Sequence, residues 1–251
     1  MTTRNGISIV VPAYNEEANL EPAVAEILAW ISDSRRAAEI VIVDDGSRDA
    51  TPEIADRLSA QHEQMRVIHH AVNRGYGAAL ASGFAATTHP LVFFTDADRQ
   101  FCIDQIERLC APIEDDDADM VIGYRVGRHD TRLRVLFSII YNSLADLVFR
   151  TRARDLGCAF KLIPATFLHE VALYSSDFSV NTELVVKARR HGLRVREVGV
   201  THRPRTAGTS SVRLRHVGIG LLGLWSLWLE LHGLRRRSPT DPARATPDLM
   251  E

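Results

Sequence analysis

The chain has 251 residues, of which 45% are apolar and 25% charged, and its formal net charge at pH 7 is −2. This composition is typical of a folded globular protein and excludes a disordered chain, a collagen-like repeat and a small disulfide scaffold. The near-zero net charge gives no reason to expect a nucleic-acid partner. The three cysteines, Cys102, Cys110 and Cys158, form no Cys-x-x-Cys pair, so we expect neither a zinc ribbon nor disulfides, and a reducing cytoplasmic compartment fits best.

The first half of the sequence alternates between patterns of buried strands and patterns of helices. Continuous apolar runs predict strands, and helical spacing of apolar residues predicts helices between them. The strands are expected at residues 7–13, 39–43, 67–70, 91–95 and 120–123, and the helices at 17–31, from 49 onward, 77–87 and 103–113. This alternation predicts an α/β fold with a mainly parallel sheet and helices on both faces. Ligands of such sheets bind beyond the carboxyl ends of the strands.

The second half is richer in helices. Helices are predicted at 132–150, 164–173, 181–191 and 213–234, with a strand at 194–200 and a basic loop at 201–211. We therefore expect one domain over residues 1–211 and an amphipathic helical segment over 212–237. The remaining residues, 238–251, contain three prolines and few apolar side chains, which predicts a disordered tail.

Neither a cleavable leader nor a membrane span is predicted. The N-terminal residues lack an apolar region followed by a small-residue cleavage site. The longest uncharged apolar run, 217–229, is shorter than the roughly 20 residues that cross a bilayer. Trp225, Trp228 and the arginine triplet at 235–237 favour a helix on a membrane surface, and packing in the core or in a homodimer is an equal alternative. The expected location is peripheral, at the cytoplasmic face of the membrane.

Polar residues follow three of the predicted strands. They are Pro12-Ala13-Tyr14-Asn15-Glu16, Asp44-Asp45-Gly46-Ser47 and Asp96-Ala97-Asp98-Arg99-Gln100. Because the carboxyl ends of parallel strands lie at one edge of the sheet, these groups should converge. Asp96 and Asp98 flank a single residue, so both can point the same way in extended chain. Their carboxylates and the carbonyl of Gln100 are hard oxygen ligands, suited to Mg²⁺ or Mn²⁺ carrying a diphosphate.

Six segments of the sequence, in this order, resemble the family-2 glycosyltransferases. They are VVPAYNEE, IVIVDDGSRDAT, NRGYGAAL, FTDADRQ, VIGYR and DLGCAFK, and they are most similar to the branch that includes dolichol-phosphate mannosyltransferases and other polyprenyl-phosphate glycosyltransferases. The resemblance covers residues 6–211. It implies a GT-A fold, a nucleotide-diphosphate sugar donor, a divalent metal, Mg²⁺ or Mn²⁺, and inversion at the anomeric carbon.

The resemblance also implies roles for individual residues at the donor site. Carried over by position, the residues that line the donor pocket are Pro12, Ala13, Tyr14, Glu16, Asp44, Asp45, Asp96, Ala97 and Asp98. Asp44 would bind the base and Asp45 would support the same pocket. The metal would be held by Asp96, Asp98 and Gln100.

Arginines are implied at both phosphates of the reaction. Arg125, Arg134 and Ser138 match family positions that contact the acceptor phosphate, and a guanidinium suits bidentate phosphate contacts. Arg134 and Ser138 stand four residues apart and share one helix face. Arg205 lies in a loop that resembles the family's Arg-x-Gly-x-Ser-Lys and would meet the donor diphosphate, although Ser211 replaces the lysine. Asp98, Arg125 and Arg205 are the predicted catalytic residues.

Two further expectations concern the neighbouring segments. Arg128 and Arg132 are expected to be surface charges near lipid headgroups. Residues 155–161 are expected to form a wall of the sugar pocket, with Asp155 as its polar contact.

The sequence therefore predicts an inverting transferase that moves a sugar from a nucleotide-diphosphate donor to polyprenyl phosphate. The donor is GDP-mannose as the first choice and UDP-glucose as the second. One alternative is transfer to a saccharide hydroxyl, which needs a general base, and Glu183 is the candidate. A phosphate acceptor needs none, because its second pKa is about 6 and it is largely a dianion at neutral pH. The other alternative is a non-catalytic subunit that binds nucleotide-sugars.

Overall fold

Seven strands and eight α-helices form the part of the chain that the computed structural model describes, residues 6–128, 132–204 and 215–234. The strands are β1 (Gly6–Ala13), β2 (Ala37–Asp44), β3 (Met65–His69), β4 (Leu91–Thr95), β5 (Met120–Val126), β6 (Phe160–Pro164) and β7 (Val195–Thr201). The helices are α1 (Leu20–Ser34), α2 (Thr51–Gln61), α3 (Tyr76–Ala85), α4 (Ile106–Glu114), α5 (Arg132–Phe149), α6 (Ala165–Glu170), α7 (Val180–Arg190) and α8 (Arg215–Leu231). A 3₁₀ turn, Ile103–Gln105, precedes α4.

All seven strands belong to one mixed sheet. Its order is β3-β2-β1-β4-β6-β5-β7, and every neighbouring pair is parallel except the two pairs that involve β6. Every residue of β1 and β4 is buried, which requires helices on both faces of the sheet centre. The predicted α/β fold with a mainly parallel sheet is confirmed.

The strand β6 was not expected from the sequence. It runs antiparallel between β4 and β5, with Phe94 opposite Lys161. Lys161 interrupts an apolar run of only five residues, so the segment lacks the pattern of a buried strand. The lysine is nevertheless fully buried, and its ammonium donates to the carbonyls of Leu156 (3.0 Å) and Cys158 and to Asn181 Oδ1 (2.8 Å). These acceptors make the buried charge tolerable in a central strand.

The first four strands end at one edge of the sheet, where their loops meet. Helix α3 packs on β1 and β2 through Gly83, where a Cβ atom would lie 2.4 Å from Val10 Cγ1. At the start of α3, Gly75 has φ +93°, a backbone conformation that side chains rarely adopt, and a Cβ there would meet the carbonyl of Ser176. The glycines of this turn therefore bring α3 against the loop before α7.

Helix α8 has two unlike faces. Leu224 and Leu227 are buried, and Gly223 passes so close to Ser179 that a Cβ would lie 2.7 Å from its hydroxyl. On the other face Leu222 and Trp225 are 69% and 60% exposed. The helix therefore packs against the body of the protein and also presents apolar side chains to the surface. No helix among the described residues is long and apolar enough to cross a membrane.

Candidate active site

The loops after β1 and β2 are joined by hydrogen bonds and form one wall of the site. The amide of Asn15 donates to Ser47 Oγ (2.9 Å), and the amide of Arg48 donates back to Asn15 Oδ1 (2.8 Å). The amide of Glu16 donates to Thr51 Oγ1 (2.9 Å). Pro12 and Ala13 are buried below this wall, whereas the Tyr14 and Glu16 side chains are half-buried. The structure thus brings together the sequence-predicted residues of the first two strand ends.

The two consecutive aspartates at the end of β2 face two consecutive histidines at the end of β3. Asp44 Oδ2 lies 3.0 Å from His69 Nδ1, and Asp45 Oδ1 lies 2.6 Å from His70 Nδ1. Asp45 also accepts the amides of Arg74 (2.9 Å) and Gly75 (2.8 Å). Asp45 therefore holds the turn before α3. The histidines were not singled out from the sequence, because only strand register places them beside the aspartates.

The residues Asp96, Ala97 and Asp98 directly follow β4. Ala97 and Asp98 are buried, and Asp98 Oδ1 accepts the amide of Gln100 at 3.1 Å. Burial and the nearby charge of Asp98 raise the pKa of the Asp96 carboxyl well above its usual range, and the charge of Glu16 raises it further. The structure therefore brings the predicted carboxylates of β1 and β4 to one place, where their negative charges repel one another.

A divalent cation suits this arrangement. Asp96 Oδ1 is buried and has no hydrogen-bond partner among the described residues, and an unsatisfied carboxylate oxygen beside a second carboxylate is a natural ligand for a hard cation. A bound cation would also relieve the repulsion that raises the pKa of Asp96. The described residues contain no group of three acidic, histidine or cysteine side chains with metal-site spacing, so two aspartates are what this part of the chain offers.

Tyr76, the first residue of α3, lies next to Asp96. Its ring stacks on Phe178 with the centroids 4.9 Å apart, and its buried hydroxyl lies beside the Asp96 carboxylate. Burial and the charge of Asp96 raise the pKa of the Tyr76 phenol well above 10. The hydroxyl therefore keeps its proton beside the carboxylate.

Gln100 is turned toward the chain that leads to the basic loop. Its Nε2 donates to the carbonyl of Arg203 (3.4 Å), and the amide of Arg203 donates to the Gln100 carbonyl (2.7 Å). These contacts tie the end of β7 to the Asp96–Asp98 loop. Arg205 and Ser211 lie outside the described residues, so the expected diphosphate contact stays a prediction.

An arginine cluster lies where β5 meets α5. Arg125 binds Asp155 with two parallel contacts, Nε to Oδ2 (2.7 Å) and Nη2 to Oδ1 (2.8 Å). Arg128 Nη1 lies 3.1 Å from Ser138 Oγ and 4.0 Å from the same Asp155. Burial alone would raise the pKa of Asp155, but the hydrogen bond and charge of Arg125 keep it below its usual range. Asp155 was expected to contact the sugar, whereas in the structure its carboxylate is bound by Arg125 and lies near Arg128.

Arg128 is the residue of this cluster that sequence reasoning placed elsewhere. It was expected near lipid headgroups, but its guanidinium reaches Ser138 on α5, the serine that the family resemblance assigns to the acceptor phosphate. Arg134 lies one turn before Ser138 on the same helix and is half-buried. No spacing rule could identify Arg128, because its contact joins a loop to a helix ten residues away.

Glu183 is not available as a general base. Its side chain is fully buried, and its carboxylate accepts the amides of Tyr174 (2.9 Å) and Ser175 (2.8 Å) and the ammonium of Lys187 (2.6 Å). A carboxylate that is used by three donors inside the protein cannot take a proton from an acceptor hydroxyl. The expectation that Glu183 could act as the base is wrong, because the residue holds the loop before α7.

The comparisons with known proteins agree with this geometry. The glycosyl transferase family 2 profile matches residues 8–171 of the chain. Glycosyltransferase AglD of Haloferax volcanii is 30% identical over 207 residues, which are 79% of this chain and 33% of that protein. A dolichyl-phosphate beta-glucosyltransferase of Trichomonas vaginalis is 32% identical over 77% of this chain and 64% of its own length.

Two further matches extend the comparison. An undecaprenyl-phosphate 4-deoxy-4-formamido-L-arabinose transferase of Shewanella sediminis is 31% identical over 81% of this chain and 61% of that protein. The chain thus spans from a third to just under two thirds of these relatives. Among solved structures, glucosyl-3-phosphoglycerate synthase of Mycobacterium tuberculosis with Mn²⁺, UDP-glucose and phosphoglyceric acid superposes with a TM-score of 0.72 at 22% identity, over 92% of this chain and 81% of that one. The fold is therefore the GT-A fold, and the chain belongs to glycosyl transferase family 2.

Proposed function

We propose that this chain transfers a sugar from a nucleotide-diphosphate donor to polyprenyl phosphate, with inversion at the anomeric carbon. One observation carries the choice of a phosphate acceptor. The candidate general base, Glu183, is buried and bound to three donors, whereas Arg128 reaches Ser138 and lies near Asp155, the carboxylate that also binds Arg125. A phosphate oxygen is already ionised at neutral pH and can attack without a base. Guanidinium groups are suited to hold it.

The residues of the site divide the reaction between two substrates. The loops after β1 and β2 bind the nucleoside, with Asp44 at the base. Asp96 and Asp98 would hold Mg²⁺ or Mn²⁺, which would supply electrostatic stabilisation of the leaving diphosphate. The arginine cluster orients the acceptor phosphate. An oxygen of this phosphate forms a bond to the anomeric carbon. The bond from that carbon to the donor diphosphate breaks, which leaves a nucleoside diphosphate and a glycosyl phospholipid.

An apolar surface beside the arginine cluster supports a lipid acceptor. Helix α5 carries Ser138 on one face and exposes aliphatic side chains on another, and α8 packs beside it. The large exposed side chains of these two helices are Leu133, Leu136, Ile139, Ile140, Leu144, Leu147, Val148, Leu221, Leu222 and Trp225. We call these residues the apolar face. Contiguous apolar patches of this kind mark interaction surfaces in soluble folds.

The partner that we propose for the apolar face is the membrane that holds the lipid. Arg150 and Arg152 are exposed directly after α5, and each basic group near an anionic surface contributes about 1 kcal/mol of binding. Trp225, stacked on Trp228 at 5.3 Å, is of the type that is enriched at the headgroup level. The domain of residues 1–211 would thus sit at the cytoplasmic face, with 212–237 as a docking element. A homodimer through the same face is the other outcome that the experiments distinguish.

The sugar is mannose from GDP-mannose or glucose from UDP-glucose. The names of the relatives include a dolichyl-phosphate glucosyltransferase and an undecaprenyl-phosphate arabinose transferase, which supports a lipid-phosphate acceptor more strongly than it supports any one sugar. The metal is supported in the same way by the Mn²⁺ of the superposed synthase.

The test is a donor panel. The full chain is incubated with Mg²⁺ or Mn²⁺, short-chain polyprenyl phosphate and each nucleotide-sugar, and the products are read by mass. A glycosyl polyprenyl phosphate with one donor supports the proposal, and product NMR then reports the anomeric configuration. Transfer to a saccharide hydroxyl with none to the lipid would contradict it. Binding of nucleotide-sugars without turnover would favour the non-catalytic subunit.

A further inference from the structure

His69 at the end of β3 is held between two carboxylates from two different elements. Its Nδ1 lies 3.0 Å from Asp44 Oδ2 on β2, and its Nε2 lies 3.0 Å from Asp56 Oδ1 on α2. The Asp44 side chain is 3% exposed and the Asp56 side chain 69% exposed. The imidazole therefore bridges a buried acidic group of the site and a solvated one outside it.

The two contacts require two donated protons. An ionised carboxylate only accepts hydrogen bonds, and a neutral imidazole carries a single N–H. Only the imidazolium can donate to both Asp44 and Asp56. Burial opposes that charge, but the hydrogen bonds and charges of the two aspartates outweigh it and raise the pKa of His69 above its ordinary value.

The neighbouring histidine shows the contrast. His70 Nδ1 faces Asp45 Oδ1 at 2.6 Å, but its Nε2 faces Ser82 Oγ at 2.9 Å. A serine hydroxyl can donate as well as accept, so one proton on Nδ1 satisfies both contacts. The two adjacent histidines thus differ in what they join: His70 joins Asp45 to Ser82 on α3, whereas His69 bridges two carboxylates, Asp44 and Asp56.

We propose that His69 is a positioning residue that fixes the Asp44 carboxylate for a hydrogen bond from the nucleobase. The inference rests on the proposed function, in which Asp44 binds the base. Asp44 Oδ1 is oriented by the amide of Ser47 (3.0 Å), and His69 fixes the other oxygen. The base so recognised carries a ring N–H at its pairing edge, as uracil and guanine do.

The consequence is a pH dependence of nucleotide binding. The titratable groups that face His69 are Asp44 on β2 and Asp56 on α2. Because these aspartates raise the pKa of His69, its ring is fully protonated in mildly acidic solution and loses the proton as the pH rises through the raised pKa. A neutral imidazole can donate to only one of the two aspartates, so the bridge that fixes Asp44 is lost and donor affinity should fall over that interval, by up to about tenfold.

The experiment measures the dissociation constants of UDP and GDP on the full chain by calorimetry between pH 6 and 9. For the nucleotide that binds, we expect His69→Gln to weaken binding about tenfold at pH 6 and to flatten the profile. Asp56→Asn should move the loss of affinity to lower pH while leaving the affinity at pH 6 within about twofold, because Asp56 touches only the far nitrogen. His169→Gln, at an exposed histidine on α6, is the matched control.

A steady-state measurement and an NMR titration complete the test. His69→Gln should raise KM for the donor and leave kcat unchanged, since the change affects binding of the base. An NMR titration of the His69 ring in the wild-type chain does not depend on any variant folding, and a midpoint at or below the ordinary histidine value would overturn the inference. A wild-type pH profile in His69→Gln would also overturn it and leave the proposed function standing. If neither nucleotide binds the wild-type chain, the proposed function fails as well.

Discussion

Acidic side chains in and around the site fall into two groups according to whether donors of the protein bind their carboxylate oxygens. Asp45, Asp155 and Glu183 are each bound by several donors of the protein. Asp96 differs, because one of its oxygens is buried with no partner among the described residues. A buried polar atom that is left unsatisfied costs free energy. The first group therefore belongs to the scaffold, and we expect Asp96 to find its partner in the divalent metal proposed above.

The first prediction concerns Asp98, the carboxylate beside Asp96. Asp98→Asn removes one of two carboxylate ligands, so Mn²⁺ affinity should fall by at least the 10–100-fold that is typical when a supporting residue of a metal site is changed. Transfer should be lost while the circular dichroism spectrum stays the same. Metal binding is measured by calorimetry, with Asp104→Asn in the turn before α4 as a control. Full transfer activity in excess EDTA would contradict the metal assignment.

The second prediction separates the two substrates. Arg128→Ala should raise KM for the lipid phosphate about tenfold or more, the value of one hydrogen bond to a charged group, and should leave KM for the donor within about twofold. Arg134→Ala is expected to act in the same direction. Arg57→Ala, an exposed arginine paired with Glu21 on another part of the surface, is the control. Equal effects on both substrates would reject a role at the acceptor phosphate.

The donor half of the site was more predictable than the acceptor half. The convergence of the residues after β1, β2 and β4 could be predicted because strand ends of a parallel sheet meet at one edge, whatever the details of packing. Arg128 and His69 could not be assigned, since their contacts depend on how a loop meets a helix and on strand register. Glu183 was misjudged because an acidic residue in a helical pattern carries no sign of being buried.

Among the secondary-structure elements, α8 shows how a sequence pattern can support two interpretations at once. Its glycines and leucines fitted a core helix, and its tryptophans and exposed leucines fitted a membrane surface. In the structure one face of the helix is buried, with Leu224 and Leu227, and the opposite face is exposed, with Leu222 and Trp225. The strand β6 was not predicted at all, because the buried Lys161 interrupts the apolar pattern that would have indicated a buried strand.

The third prediction uses the outer face of α8. Trp225→Glu and Leu222→Glu place a charge on the apolar face without touching the buried side, so the melting temperature should change little. Binding to anionic vesicles should fall at least tenfold, because one large apolar side chain contributes about 1.5–3 kcal/mol on burial. Sedimentation with vesicles measures the effect, and wild-type binding should weaken as salt rises.

Ala60→Glu adds the same charge at an exposed position of α2 and is the control for net charge. If the wild-type chain ignores vesicles at low salt but dimerises, and Trp225→Glu makes it monomeric, the apolar face is an interface between two copies of the chain.

For the whole molecule, a buried ion cluster joins the last two described helices to the body. Lys187 on α7 contacts Glu183 (2.6 Å) and Glu230 on α8 (2.9 Å) and donates to the carbonyl of Ala172 (2.7 Å). Glu183 in turn holds the amides of the loop that packs against the turn before α3. One cluster thus links α8, α7 and the wall of the site.

The fourth prediction tests this cluster. Glu183→Gln leaves a buried ammonium with one carboxylate partner fewer, and breaking a buried pair typically costs about 3–5 kcal/mol. We expect the free energy of unfolding in urea to fall by roughly that amount, and kcat of the folded enzyme to stay within about twofold. Glu170→Gln, at an exposed position of α6, is the control. A loss of kcat at unchanged stability would instead restore Glu183 as a general base.

The packing of α8 also has a consequence for the order in which the protein is made. It is the last described helix to leave the ribosome, and its partners on α5 and α7 have been synthesised well before it. Until α8 arrives, Lys187 lacks Glu230, and the apolar surface that receives Leu224 and Leu227 faces water. The nascent chain therefore passes through a stage in which the sheet is complete but this surface is open. Ribosome-bound chains that end before residue 215 and carry a C-terminal linker long enough to fill the exit tunnel should bind chaperones that recognise apolar surfaces. Chains that extend past residue 234 before the same linker should release them.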